Sequence, residues 1–328
     1  MPNWGLLATG VIARKFATTI NAMAPQEEHR LAACAARDGA RAAAFAEEFA
    51  IPAAYGSYEE LVNDPAVDIV YISSPNHLHA AHTRLCLEHG KHVLCEKPFV
   101  FTAAEAQELY ALAAEKGLFL MEALWTYHLP LIHKAQQLLA QGVIGKPQYL
   151  RADYGFIATG ARRTRKFESA LGGGALLDIG IYNLAFAHQM LGCHPDGFTT
   201  GAVEYSEFGT DRFSHLTARY PDGTQAALTA CIGLQLPTEG AVYGTEGRMI
   251  FPNYQQAQEL TVIKNDGTAE TIQMPFDHTG FEYQVRECGR CIAAGLTASP
   301  VYPPQTSIAH MQALENIRAD WGMKFSGE

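Results

Sequence analysis

From residue 3 to about 122, short unbroken apolar runs alternate with stretches of helical period. NWGLLA, RLAACAA, AAY, VDIVYISS, HVLCEKP and LFLMEAL read as strands; VIARKFATTINAMA, GARAAAFAEEFA, SYEELVND, HAAHTRLCLEHG and AAEAQELYALAAEKG read as helices. Strands that are apolar on both faces, each followed by a helix, predict a parallel sheet covered on both sides. Residues 1–122 are therefore expected to form a doubly wound α/β domain.

The pattern then changes. After a helix around LPLIHKAQQLLAQG come longer, alternating strands: PQYLRADYGF, FSHLTARYPDGTQAALTACIG, EGAVYGTEGRMIF and ELTVIKNDGTAETIQM. The Asp-Gly pairs in PDGT and NDGT predict hairpins, which makes this half largely antiparallel. A helix near 280–295, the connector SPVYPPQ and a helix near 306–320 close the chain. Residues 123–328 are thus expected to form an α+β domain built on a large open, mostly antiparallel sheet.

The chain of 328 residues has a formal charge of −10, which argues against a nucleic-acid or anionic-lipid surface. Its dense basic cluster, Arg162, Arg163, Arg165 and Lys166, is expected to be a solvated loop. The opening MPNWGLLATG enters a strand at once, and no stretch reads as a membrane span, so a cytoplasmic protein is expected. Seven scattered cysteines do not suggest a disulfide framework, and Cys288 and Cys291 lie in a helical pattern, where they read as packing residues. His77 and His79 lack a third ligand at fitting spacing, so no metal is expected.

The first strand-to-helix turn reads Ala8, Thr9, Gly10, Val11, Ile12, Ala13, a GxGxxA pattern with alanine for the first glycine. Gly10 stands where the backbone must approach a pyrophosphate, small Ala13 lets helix and strand pack, and the helix N-terminus supplies an anion site. At the end of the second strand the chain reads CAARD. A carboxylate there would hold a ribose hydroxyl; Arg37 instead suits a 2′-phosphate, so NADP is the expected cofactor. Asp38 reads as the N-cap of the next helix.

Strand four ends in a polar turn containing Ser73, Ser74, Asn76 and His79, which is expected to face the cofactor at the carboxyl edge of the sheet. Strand five ends in Glu96, Lys97 and Pro98; the proline fixes the backbone and aims Lys97 into the same crevice. Further on, GGGALLDIGIY places Asp178 and Tyr182 four residues apart on one expected helical face. A phenol with an ordinary pKa near 10 is a poor base at neutral pH until a cation favours phenolate, and Lys97 is the candidate cation.

WGLLATGVIA, AARD, YGSYEELVNDP, LCEKP, GLFLMEALWT, GGGALLDIGIY and YQVREC fall in the order and spacing of the glucose-fructose oxidoreductase and inositol dehydrogenase (Gfo/Idh/MocA) superfamily. The chain most resembles its branch of dimeric dihydrodiol dehydrogenases, which also act as NADP-dependent D-xylose dehydrogenases. The resemblance implies a Rossmann domain followed by an open sheet that often forms a dimer face, hence a homodimer. It implies that Lys97 and Tyr182 are the catalytic pair; Asp178 is expected to orient the substrate or the lysine, and Glu96 and Lys97 to border the cofactor. Trp125, Tyr127 and Tyr154 are expected in the substrate wall. The branch follows MEAxW with Thr, Arg and two aromatic residues; here Thr126, Tyr127, His128 and Leu129 stand there, which leads us to expect aldopyranoses to be preferred over flat dihydrodiols. The reaction implied is hydride transfer between nicotinamide and a hydroxyl-bearing carbon of a sugar or cyclic diol. The alternatives are a sugar ketone or anhydrosugar reductase and a non-catalytic NADP-binding sensor.

Overall fold

The computed structural model describes residues 2–323, with the side chains of Ala161, Arg162 and Arg165 outside the described part. Two compact units emerge. One runs through Trp125 and also includes Asp277–Met311; the other comprises Thr126–Phe276 and the described residues from Gln312 onward. The change of pattern at residue 122 does not reveal the return of Asp277–Met311 to the first unit, because no local period records which earlier strand a late segment packs against.

In the first unit the strands are β1 (Asn3–Leu7), β2 (Arg30–Ala35), β3 (Ala53–Tyr55), β4 (Ile69–Ile72), β5 (His92–Cys95) and β6 (Leu120–Glu122). They form one parallel sheet in the order β3-β2-β1-β4-β5-β6, flanked by α1 (Val11–Met23), α2 (Gly39–Phe49), α3 (Tyr58–Asn63), α4 (His79–Glu88) and α5 (Ala103–Glu115). Every residue of β4 is buried, as its unbroken apolar run requires. The chain winds outward in opposite directions from β1 and β4, and at such a switch point the carboxyl ends of the two strands open a ligand crevice.

The second unit opens with α6 (Pro130–Ala140), β7 (Pro147–Gly155), α7 (Ala161–Phe167) and α8 (Ile181–Leu191). It continues with β8 (Gly197–Tyr205), β9 (Asp211–Arg219), β10 (Gln225–Cys231), β11 (Gly240–Gly244), β12 (Gly247–Phe251), β13 (Glu259–Lys264) and β14 (Ala269–Gln273). The eight strands run in the order β14-β13-β12-β11-β7-β10-β9-β8, antiparallel except for the β7–β10 pair. PDGT and NDGT close the β9–β10 and β13–β14 hairpins, with Gly223 and Gly267 at φ 87° and 90°. Helix α9 (Glu282–Ala293) belongs to the returning segment and buries Cys288 and Cys291; α10 (Pro304–Asp320) ends the described chain.

Two expectations are corrected. The basic cluster is not a loop: Arg163 and Lys166 lie on α7, while the side chains of Arg162 and Arg165 fall outside the described residues. One stretch, Ser169–Leu191, is long and apolar enough to cross a membrane, yet 83% of its apolar part is buried inside the protein, as in the core helix of a globular unit.

Candidate active site

In the first unit, Ala8 follows β1 at φ 78°, a left-handed conformation that glycine adopts without cost and alanine does not. The substitution therefore leaves the shape of the turn intact. Its amide donates to the Ala35 carbonyl at 3.0 Å, and the Ser73 hydroxyl reaches the Leu7 and Ala8 carbonyls at 3.3 Å, tying the turns after β1 and β4 together. Gly10 caps α1 with no side-chain bond, and a Cβ built on it meets nothing within 4 Å. The protein itself does not fill the space in front of this helix start. Val11, on the first turn, is 71% exposed, while Thr9 is buried and Ile12 partly so. An uncapped helix N-terminus facing open space is what a pyrophosphate requires.

Arg37 is exposed at the end of β2, and Asp38 caps α2 by accepting from the Ala40 and Arg41 amides at 3.0 and 3.4 Å. Arg41 lies in the first turn of the helix that this cap starts. Burial raises the Tyr58 pKa, and the nearby guanidinium groups of Arg37 and Arg41 oppose that shift. The Tyr58 ring meets His82 edge-on at 4.8 Å, and His82 Nδ1 lies 2.9 Å from the Ser74 hydroxyl. Burial pushes His82 down to about 4, so the ring is neutral. Arg37, Arg41, Tyr58, His82 and Ser74 thus border one region at the sheet's carboxyl edge. Arg41 was missed in the sequence: Arg37 precedes the helix cap, so no helical spacing links the two, and only their common effect on Tyr58 brings them together.

Expected to face the cofactor, His79 has its ring occupied within the protein. It is fully buried, and its two ring nitrogens lie 2.9 Å from the Pro98 and Ser74 carbonyl oxygens. Burial lowers its pKa against the pull of those carbonyls. It clamps the turn after β4 to the turn after β5, and Asn76 opens the short 3-10 segment between Ser74 and His79. Glu96 accepts from the Tyr71 hydroxyl at 2.5 Å and from the Lys97 amide at 3.3 Å; burial raises its pKa against these bonds and the Lys97 charge. The half-buried Lys97 side chain therefore leaves a backbone held on both sides. Trp125, expected in a substrate wall, is 2% exposed and packs against Phe281 at 5.1 Å, with the Lys15 ammonium 4.3 Å from its ring.

In the second unit, GGGALLDIGIY is not one regular helix. Leu176–Gly180 forms a π-helical turn and α8 begins at Ile181, so Asp178 and Tyr182 straddle a change of helix type and are not one α-helical turn apart. Tyr182 is buried, with its ring centroid 6.2 Å from that of Tyr154 on β7. Next to it, Asn183 donates to the Thr229 carbonyl at 2.9 Å and accepts from the Tyr254 hydroxyl, which fixes the start of α8 on the sheet. Asp211 accepts the Leu176 amide at 2.7 Å, and burial pushes its pKa up to about 7. Tyr127 departs from expectation: its hydroxyl is hydrogen-bonded to His188 Nδ1 at 2.9 Å, and burial holds His188 at about 4, so that ring is neutral. His128 is buried as well. Among the described residues, no three His, Cys, Asp or Glu side chains are grouped to hold a metal ion.

Residues 3–124 match the model of an oxidoreductase family with an NAD-binding Rossmann fold, and residues 132–250 match the GFO/IDH/MocA C-terminal domain. The chain belongs to the GFO/IDH/MocA oxidoreductase family. Trans-1,2-dihydrobenzene-1,2-diol dehydrogenase of Bos taurus is 36% identical to this member over 333 residues, covering 98% of this chain and 97% of its own. The Homo sapiens enzyme of the same name is 35% identical over 330 residues, with the same coverage. KijD10, a 3-ketoreductase from Actinomadura kijaniata, has been solved with TDP-benzene and NADP as a variant with one tyrosine replaced by phenylalanine. That structure has a TM-score of 0.86 at 25% identity, covering 97% of this chain and 98% of its own. The present chain is accordingly an enzyme, a nicotinamide-dependent dehydrogenase of the GFO/IDH/MocA family acting on CH–OH groups.

Proposed function

We propose that this enzyme is NADP-dependent and acts on a hydroxyl-bearing carbon of a sugar or cyclic diol. The observation that carries the reading is the joint presence of Lys97 in LCEKP and Tyr182 in DIGIY, within 36% identity to a trans-dihydrodiol dehydrogenase across 98% of the chain.

The uncapped start of α1, with Ala8 in a glycine-like conformation and open space at Gly10, fits a dinucleotide. In this reading the amides of Gly10, Val11 and Ile12 receive the pyrophosphate beside Thr9, and Arg37 with Arg41 receives the 2′-phosphate. Ser73, Ser74 and Asn76 border the cofactor. The chemistry the bound cofactor would supply is hydride acceptance as NADP+ in oxidation and hydride donation as NADPH in reduction. Tyr182 takes the hydroxyl proton in oxidation and returns it in reduction, while the Lys97 ammonium favours the phenolate and holds the substrate hydroxyl. Asp178 orients the substrate through a second hydroxyl, and Tyr154 supplies an aromatic wall. We further propose that the open sheet, on which Tyr149 is 39% exposed, joins two copies as a homodimer.

Reduction of a sugar ketone is a second reading, favoured by the structural likeness to the 3-ketoreductase KijD10. Steady-state assays with NADP and a panel of aldopyranoses and trans-dihydrodiols, run beside NADPH oxidation with keto-sugars, separate the two. Turnover of a polyol with NADP is the expected result. Quenching or enhancement of NADPH fluorescence on binding, with no turnover in either direction, would instead identify a sensor.

A further inference from the structure

The ammonium of Lys166 lies 2.5 Å from Asp178 Oδ1, with the two side chains 22% and 15% exposed. The same residue grips the motif with its backbone: the Gly174 amide donates to the Lys166 carbonyl at 2.8 Å, and the Gly173 amide to the Glu168 carbonyl at 3.0 Å. A Cβ on Gly173 would stand 2.6 Å from the Phe167 carbonyl carbon and 2.8 Å from the Lys166 oxygen. The glycine run is therefore what allows α7 to lie this close. Phe167 completes the attachment by packing into a buried cluster with Ala175 and Ile179, on either side of Asp178. The end of α7 is thus fastened to the π-helical turn at three kinds of contact: backbone, apolar and ionic.

The ionic contact adds little to stability, since a partly exposed pair gains modest Coulomb energy and orders a long side chain. Its effect is on orientation. A carboxylate on a π-helical turn can rotate about its side-chain torsions; an ammonium on one oxygen fixes the plane of the group and directs the second oxygen. Arg163, the other described cation of this cluster, is engaged in an exposed pair with Glu207 at 2.5 Å. Lys166 alone of the two reaches the motif that carries Tyr182.

We propose that Lys166 is a positioning residue that holds the Asp178 carboxylate in the orientation needed to accept a hydrogen bond from one particular hydroxyl of the polyol. This rests on the dehydrogenase reading above and adds to it a residue that sets which hydroxyl pattern is preferred.

The test is steady-state kinetics of Lys166→Met, Lys166→Gln and Lys166→Arg beside the wild type. The substrates are the best aldopyranose and its single-deoxy analogues, and the Kd for NADPH is followed by fluorescence. Lys166→Met and Lys166→Gln should lower kcat/KM for the full sugar on the order of ten- to hundredfold, the usual cost of a loosened reacting geometry. The preference of the wild type for the full sugar over one deoxy analogue should collapse, while the Kd for NADPH stays within about twofold. Lys166→Arg, which keeps the charge and the donors, should restore the preference. A merely structural role would depress all substrates equally and leave the preference intact; that result, or Met and Gln variants of unchanged kcat/KM, overturns the proposal. The Gln variant keeps a polar group on the partly exposed helix should the Met variant fold poorly. A wild type that binds NADPH but turns over no polyol removes the dehydrogenase reading and this proposal together, whereas an active wild type without a Lys166 effect removes this proposal alone.

Discussion

The Ser307 hydroxyl lies 2.6 Å from Glu122 Oε2, so a residue near the end of the chain closes the last strand of the first unit's sheet. Tyr302 donates to the same oxygen at 2.8 Å and the Phe99 amide to Oε1 at 3.0 Å. These bonds favour the carboxylate, yet burial outweighs them and pushes Glu122 up from 4.5 to about 7. Asp211, in the other unit, is likewise raised from 3.8 to about 7 by burial. Both groups hold their proton more tightly in the native chain, so the stability they bring is complete below the unfolded pKa and lost as pH rises through the native one. His82 and His188, held at about 4 by burial, act oppositely below their ordinary 6.5. The share of the fall that belongs to the two carboxyls should therefore emerge between roughly pH 6.5 and 8, on the order of 1 kcal/mol. Urea titrations across that range should show it in the wild type, and Glu122→Gln with Asp211→Asn should flatten it. An unchanged slope in the double variant would contradict the assignment.

Ala8→Gly should stabilise the protein by about 1 kcal/mol, because alanine at φ 78° carries a steric cost that glycine avoids, only partly offset by the greater entropy of an unfolded glycine. Thermal denaturation with and without NADP measures it. The gain should appear without cofactor and leave the affinity for NADP no weaker.

Arg37→Ala should raise the KM for NADP about tenfold or more, since a charge-assisted bond is worth roughly 1.5–3 kcal/mol. The KM for NAD should scarcely change. Arg41→Ala should act in the same sense, and comparison of the two cofactors for each variant decides whether either arginine reads the 2′-phosphate.

Tyr182→Phe keeps the ring packed near Tyr154 and removes only the hydroxyl. NADPH should still bind, with kcat reduced by roughly a hundredfold to ten-thousandfold. Lys97→Met should also be severe. A phenylalanine variant with most of its kcat would move the proton-transfer role to another group.

The Tyr127 hydroxyl is engaged by His188 and both Tyr127 and His128 are buried, so the expected preference for aldopyranoses rests on the missing aromatic pair and not on hydrogen bonds from these two residues. The aromatic face near Tyr182 is that of Tyr154. Tyr154→Leu should lower kcat/KM for a trans-dihydrodiol of benzene more than for D-xylose. The expected difference is about twofold to tenfold, corresponding to the roughly 0.5–1.5 kcal/mol of an aromatic contact. Equal losses for both substrates would place the ring outside the substrate wall.

Much of this architecture is written locally. Unbroken apolar runs such as IVYI of β4 can only be strands buried on both faces, and the Asp-Gly pairs fix two hairpins. Asp38 is a helix cap by residue type, and the GxGxxA turn, LCEKP and GGGALLDIGIY are contiguous, so order and spacing were enough to identify them. What the sequence withheld are the partners of individual side chains. Glu122 finds Ser307 across 185 positions, Tyr127 finds His188 across 61, and His79 spends its ring on Pro98 and Ser74. The π-helical turn at Leu176–Gly180 and the grip of Lys166 on Asp178 arise because a glycine run lets α7 approach it closely. Periodicity and capping act over a few residues, whereas the burial that neutralises a carboxylate or occupies a hydroxyl depends on which distant surfaces meet, and only the folded chain decides that.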